Sequence, residues 1–143
     1  TDGRNPRMRH IAWSYDGGET WEDLSVSEVL PDGSQHRDYG LMGGLVRLPL
    51  EDHDILLFSN VESNEGRKNG TVWASFDGGK TWPVKRLVDT GSFAYSSMAA
   101  GREGTPSEGM IYLLYESGEG AKMARFNLAW LTDGRDWRDF INK

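Results

Sequence analysis

The sequence predicts an all-β protein built from repeated strand units, and three observations carry that reading. The first is an eight-residue motif present twice, as Ser14-Tyr15-Asp16-Gly17-Gly18-Glu19-Thr20-Trp21 and as Ser75-Phe76-Asp77-Gly78-Gly79-Lys80-Thr81-Trp82. The second is composition: 18 Gly and 6 Trp among 143 residues, only 37% of them hydrophobic, suit many short strands joined by glycine-dependent turns. A helical bundle would tolerate few interior glycines. The third is a series of strand-length apolar runs, each bounded by Gly, Pro, Asn or Asp. The two motif copies align without a gap, Ile11 to Trp21 on Val72 to Trp82, and Ser14 and Ser75 stand 61 positions apart. Repeats of that period mark solenoids or propeller blades, and strands fill the interval here, so the expected architecture is a β-propeller with about two to three blades in this chain.

Taken in order, the first motif copy closes a hairpin whose second strand is residues 24–30. Residues 45–50, 55–61, 71–76 and 84–88 then make one four-stranded blade, with the second copy as the turn between its last two strands. Residues 96–100, 110–115 and 122–128 supply three strands of a further blade, one short of a full set. The stretch Asp133-Gly134-Arg135-Asp136-Trp137 imitates the motif but is one residue short between Asp and Trp, and it reads as a turn into a short helical end.

The chemistry of the repeated motif is that of a self-satisfied turn. A short Asp side chain accepts backbone N–H groups across the turn, and Ser and Thr hydroxyls add further bonds. Glycine supplies the positive φ that other residues resist. The Trp is expected to bury its ring against the blade and anchor the hairpin. A catalytic or calcium-binding role for Asp16 or Asp77 competes with this, but repetition in successive units marks a device of the fold.

Charge and composition exclude several classes. A net charge of −6 leaves no general affinity for nucleic acid or anionic membranes, so an anionic ligand must be held by a local arginine cluster. Apolar runs such as Ile55-Leu56-Leu57-Phe58 are strand-sized, well below the ~20 residues of a helical membrane span. With no cysteine and three scattered histidines, His10, His36 and His53, no metal or cofactor is expected. The polar opening Thr1-Asp2-Gly3-Arg4-Asn5-Pro6 reads as a loop inside a longer protein.

Beyond the paired motif, five segments carry a family resemblance: Leu57-Phe58-Ser59-Asn60, Arg67-Lys68-Asn69-Gly70-Thr71-Val72, Phe93-Ala94-Tyr95-Ser96-Ser97-Met98, Leu114-Tyr115-Glu116 and Phe126-Asn127-Leu128-Ala129-Trp130-Leu131. In type, order and spacing they are similar to the last blades of the exo-sialidases (neuraminidases), six-bladed propellers whose repeated turn is the Asp box, or BNR repeat. The resemblance covers nearly the whole chain and implies that residues 1–143 are the C-terminal portion of such a propeller, with the N-terminal blades elsewhere in the same protein. It further implies a hydrolase that releases terminal α-linked sialic acid with retention, a sialylated glycan as its partner, and a protein that is exported, as relatives often are.

Three residues take roles from the resemblance. Arg67 matches an arginine of the triad that grips the sialic acid carboxylate; guanidinium stays charged and offers paired donors to that group. From composition alone Arg67 would be a solvated loop residue beside Glu62 and Glu65, and Lys68 is the neighbour that would replace it after a slip of one. Tyr95 matches the nucleophile of the Ala-Tyr-Ser pattern, where a bland reading would have an aromatic packing at a strand start. Most glycosidases use two carboxylates and sialidases with a Tyr nucleophile are an exception. The anomeric carbon of sialic acid bears a carboxylate, so a neutral phenol avoids like charge, and a base must take its proton as it attacks, because phenols ordinarily titrate near ~10. Glu116 matches a glutamate that orients an arginine of the triad, against a bland reading as a solvated strand end.

The departures are equally specific. The acid aspartate, the base glutamate and the first arginine of such a site have no match in this chain. Arg4 and Arg7 could be put forward for the second arginine, but they sit in the loop before the first hairpin, and that position is read as missing. The stretch Tyr39-Gly40-Leu41-Met42-Gly43-Gly44 lacks the Gln that many bacterial relatives carry there. The competing reading is a non-catalytic Asp-box propeller that binds carbohydrate or protein. In either case two open blade faces predict a segment that is not a stable, active monomer alone.

Overall fold

The computed structural model describes residues 7–34 and 40–141. Among the described residues nine strands form three antiparallel sheets: β1 (Met8–Trp13) with β2 (Glu22–Pro31); β3 (Gly44–Leu50), β4 (His53–Val61), β5 (Lys68–Ser75) and β6 (Val84–Ser92) in sequence order; and β7 (Ser96–Ala100), β8 (Met110–Ser117) and β9 (Gly120–Asn127). This is the partial propeller that the sequence predicts: half a blade, a whole one and three strands of a third. Every expected strand is present. The ends differ at β5 and β6, which run on toward Lys68 and Ser92, and at Leu128, which leaves β9 to begin the short helix α1 (Leu128–Leu131). Asn127 ends the strand because its side chain accepts the Trp130 N–H as the helix cap.

Both Asp boxes form the same network. Asp16 accepts from the Ser14 hydroxyl (2.8 Å), the Thr20 N–H (3.0 Å) and the Thr20 hydroxyl (2.6 Å), while Ser14 accepts the Gly18 N–H (2.7 Å). In the second copy the Asp77 carboxylate takes Ser75 (2.7 Å) and Thr81 (2.9 and 2.6 Å), and Ser75 takes the Gly79 N–H (2.8 Å). Their glycines share φ values, 79° and 97° in the first copy, 74° and 95° in the second. One expectation fails: Trp82 is half-buried against Phe58, but Trp21 is 66% exposed and anchors nothing. Among the described residues the β1–β2 sheet has two strands, and no further strand covers that ring.

The main core lies between the second and third sheets, where Leu57, Val61, Val72, Ile111, Leu113 and Phe126 meet. Along β8 the buried Ile111, Leu113 and Tyr115 alternate with half-buried or exposed residues, and Leu114 with its cross-strand partner Met123 lies open to solvent on the opposite face. After α1 the chain crosses back over the second sheet. Trp137, in a 3-10 helix (Trp137–Phe140), contacts His53 and Phe76, and Arg138 pairs with Glu51.

Candidate functional site

Arg67, Tyr95 and Glu116 come from three different segments of the chain and meet at one corner between the second and third sheets. Arg67 immediately precedes β5, Tyr95 immediately precedes β7, and Glu116 lies near the end of β8. The Arg67 guanidinium carbon sits 5.2 Å from the centre of the Tyr95 ring. Backbone hydrogen bonds tie the three together: Phe93 N–H to Arg67 C=O, Ala94 N–H to Glu116 C=O, and Glu116 N–H to Tyr95 C=O, each 3.0 Å. Tyr95 is 39% exposed, and Arg67 and Glu116 are exposed, so all three can meet a solute.

The local fold explains this convergence. At the start of β5 the ladder slips on both sides of Gly70, and Asn69 takes φ 58°, so the strand bulges where Arg67 leaves it. Gly70 is required there, because a Cβ would stand 1.9 Å from the Phe93 ring. The fully buried Phe93 thus seats the segment that carries Tyr95 directly on the strand that carries Arg67. On the inner side the Ser96 hydroxyl meets the Ser59 hydroxyl at 2.9 Å, Ser96 N–H donates to Met42 C=O, and Gly44 N–H donates to Ser59. Both hydroxyls are buried and paired, which locks β7 against β3 and β4 beside Tyr95.

The neighbouring charges are occupied elsewhere. Lys68 pairs with Glu65, and Glu62 pairs with Lys85, so the acids near Arg67 in sequence each have a lysine. Arg7 is buried with its guanidinium 3.9 Å from Asp32, and Arg9 approaches the same carboxylate at 2.9 Å. Arg4 and Tyr39 lie outside the described residues. Leu41 is buried and Met42 is 65% exposed.

A cluster with no signal in the strand pattern stands behind the corner. Asp89 on β6 accepts the Gly91 N–H at 2.7 Å and the Tyr115 hydroxyl at 2.8 Å, and Lys122 lies 3.8 Å away. The Gly91 N–H and the Tyr115 hydroxyl, helped by Lys122, hold the Asp89 carboxyl below its ordinary range, against an opposing effect of burial. Burial, the hydrogen bond to Asp89 and its charge push the Tyr115 phenol up to about 12. Tyr115 also stacks on Phe93 at 4.5 Å. The Asp89-Thr90-Gly91 turn signal is the only sequence trace of this arrangement. Two grooves, of about 610 and 420 Å³, lie between the β1–β2 hairpin and the second sheet around Trp13 and Trp82, away from this corner. Among the described residues no group of three or more His, Asp or Glu is placed to hold a metal ion, and no helix is long and apolar enough to cross a membrane.

Comparison with known proteins places this fold. Residues 2–113 match the family model of the BNR repeat-like domain. A sialidase of Micromonospora viridifaciens is 36% identical over 132 residues, covering 91% of this chain and 19% of that protein. The chain belongs to the sialidase family of BNR-repeat propellers. A sialidase of Bacteroides fragilis is 33% identical over 117 residues (76% of this chain, 20% of the relative). Among solved structures, a Hadza microbial sialidase superposes with a TM-score of 0.64 at 28% identity, over 88% of this chain and 24% of that one. The intramolecular trans-sialidase from Ruminococcus gnavus superposes with a TM-score of 0.68 at 24% identity, over 88% of this chain and 29% of its own, a likeness of fold. The chain thus spans about a fifth of the length of the curated relatives it matches.

Proposed function

We propose that the protein containing this chain is an exo-sialidase that releases terminal α-linked sialic acid from glycoconjugates with retention of configuration. The observation that carries the reading is the Arg67 guanidinium 5.2 Å over the Tyr95 ring, with the Glu116 peptide bonded to Tyr95. In this reading the substrate carboxylate binds Arg67 through charge-assisted hydrogen bonds, which places the anomeric carbon beside the Tyr95 hydroxyl. The phenol oxygen attacks that carbon as a base takes its proton, and an acid protonates the departing glycosidic oxygen. Water then attacks the anomeric carbon from the face the aglycone left, the Tyr95 phenolate departs and regains its proton, and two inversions give retention. The charge of Arg67 stabilises anionic character on the phenol oxygen. Glu116 braces the arginine cluster. The acid, the base and the remaining arginines are taken to come from other blades of the propeller, of which residues 1–143 form the C-terminal portion.

In full-length protein, Tyr95→Phe should lower turnover of a fluorogenic aryl α-sialoside by roughly 10³-fold or more with little change in melting temperature. Arg67→Met should act mainly on kcat/KM, by about 10²-fold, since a charged hydrogen bond of this kind is worth ~1.5–3 kcal/mol. Wild-type turnover by Tyr95→Phe would remove Tyr95 from the mechanism. Full-length protein that binds sialosides without cleaving them would instead favour a binding module. The relatives include one named an anhydrosialidase and one named an intramolecular trans-sialidase, so the released product must be identified by NMR as free sialic acid.

A further inference from the structure

We propose that Asp89 is a positioning residue which, by accepting the Tyr115 hydroxyl from the adjoining sheet and the Gly91 N–H from its own strand, sets Tyr95 in register with Arg67. The proposal rests on the reading of Tyr95 as nucleophile. Arg67 leads into β5 of the second sheet and Tyr95 into β7 of the third, so their separation depends on what holds the sheets together at this corner. Sheets that pack only through apolar side chains can slide by fractions of an ångström, and a nucleophile misplaced by about 1 Å can cost 10²-fold in rate.

The connection is a closed ring of contacts. Asp89 lies opposite Gly70 in the β5–β6 ladder, at the bulge that releases Arg67. It reaches across to the Tyr115 hydroxyl at 2.8 Å. The Tyr115 ring stacks on Phe93 at 4.5 Å, and the Phe93 N–H returns to the Arg67 carbonyl at 3.0 Å. Tyr115 and Tyr95 are both adjacent in the ladder to the same peptide unit, since Glu116 N–H bonds Tyr95 C=O. Near the end of β6 the Gly91 N–H bond to Asp89 shapes the 89–93 segment that leads into Tyr95. A carboxylate suits this post because it accepts two donors and the nearby Lys122 charge together.

A contact between β6 and the chain that follows the third sheet, at α1 and just beyond it, supplies a control remote from Tyr95 in the contact network. Arg86 on β6 donates to the Trp130 carbonyl, stacks on that ring at 4.2 Å and lies 3.4 Å from Asp133. Its loss should loosen that contact without touching the Asp89 ring of contacts.

The test uses the full-length protein with an aryl α-sialoside as substrate and free sialic acid as competitive inhibitor. Asp89→Ala and Tyr115→Phe should each lower kcat by about 10- to 30-fold while the inhibitor constant stays within about twofold, because Arg67 remains in place. The double variant should lose no more than the larger single loss. Asp89→Asn should recover most of the rate, since its amide accepts from Gly91 and donates to the Tyr115 oxygen. Arg86→Met should lower the melting temperature and leave kcat within about twofold. The proposal is overturned by near-normal kcat in Asp89→Ala and Tyr115→Phe, or by an equal loss in Arg86→Met at the same fall in melting temperature. If Tyr95→Phe is itself fully active, the nucleophile reading fails and takes this proposal with it. If Tyr95→Phe is inactive and Asp89→Ala is normal, only this proposal fails.

Discussion

The two Asp boxes have matching hydrogen bonds and different surroundings. In the first copy Asp16 and Thr20 lie in solvent with Ser14 half-buried, the Trp21 ring is two-thirds exposed, and a Cβ on Gly17 would meet nothing within 4 Å. In the second, Ser75 is fully buried, Trp82 packs against Phe58, and a Cβ on Gly78 would stand 2.5 Å from the Asp54 carboxylate. The turn is therefore a local structure that forms from its own residues. Anchoring depends on the number of strands around it, and the two-stranded sheet offers too few. The same residue types contribute different stabilities in the two places.

This contrast can be tested in the full-length protein by paired substitutions, ranked by expected effect. Trp82→Ala should destabilise by about 2–4 kcal/mol through lost burial, against less than about 1 kcal/mol for Trp21→Ala in the surroundings described here. Equal falls in melting temperature would indicate that other blades bury Trp21 as deeply as this structure buries Trp82, which would restore the expected anchor.

Next come the glycines. Both Gly17→Ala and Gly78→Ala lose the positive φ that glycine tolerates, at a cost of roughly 1 kcal/mol. Gly78→Ala should cost about 1–2 kcal/mol more, because the new methyl meets Asp54. Smaller still is the serine pair. Ser75→Ala leaves the buried Gly79 N–H without its acceptor, whereas water replaces Ser14 at the exposed Gly18, so the difference should be about 1 kcal/mol in chemical denaturation.

The least effect is one of pH. Hydrogen bonds from the Thr20 side chain and N–H, then from Ser14, hold Asp16 far below the ordinary carboxylate range. At Asp77 partial burial works against ionisation, but bonds from Thr81 and Ser75 outweigh it and the net shift is again downward. A carboxylate depressed on folding contributes stability that is complete above its unfolded pKa of ~3.9 and lost as pH falls through the folded value. Both boxes should therefore be unaffected above about pH 5 and weaken only below about pH 4. Burial at Asp77 predicts that the Thr81 amide loses protection from exchange at a higher pH than Thr20. Release in the opposite order would show that burial does not distinguish the two sites.

Much of the architecture was legible because strand alternation and turn chemistry are properties of neighbouring residues. Every strand was marked by apolar runs between Gly, Pro, Asn or Asp, and the box networks follow from Ser, Asp, Gly and Thr at set offsets. The short helix at Leu128 was missed because its cap is a single Asn side chain turned onto Trp130 N–H, a choice that the apolar pattern of β9 does not register. The extension of β5 to Lys68 was missed because the bulge at Gly70 exists only once Phe93 lies against it.

The candidate site divides in the same way. By itself the sequence determined the repeat, the all-β class and, through family resemblance, the choice of Arg67, Tyr95 and Glu116, because each of these rests on residue type and local spacing. Only the tertiary structure decided that Arg67 lies over Tyr95, that Trp82 is anchored while Trp21 is not, and that Asp89 joins Tyr115 across two sheets. Those contacts link residues tens of positions apart, and their distances are set by how sheets pack, which no local pattern encodes.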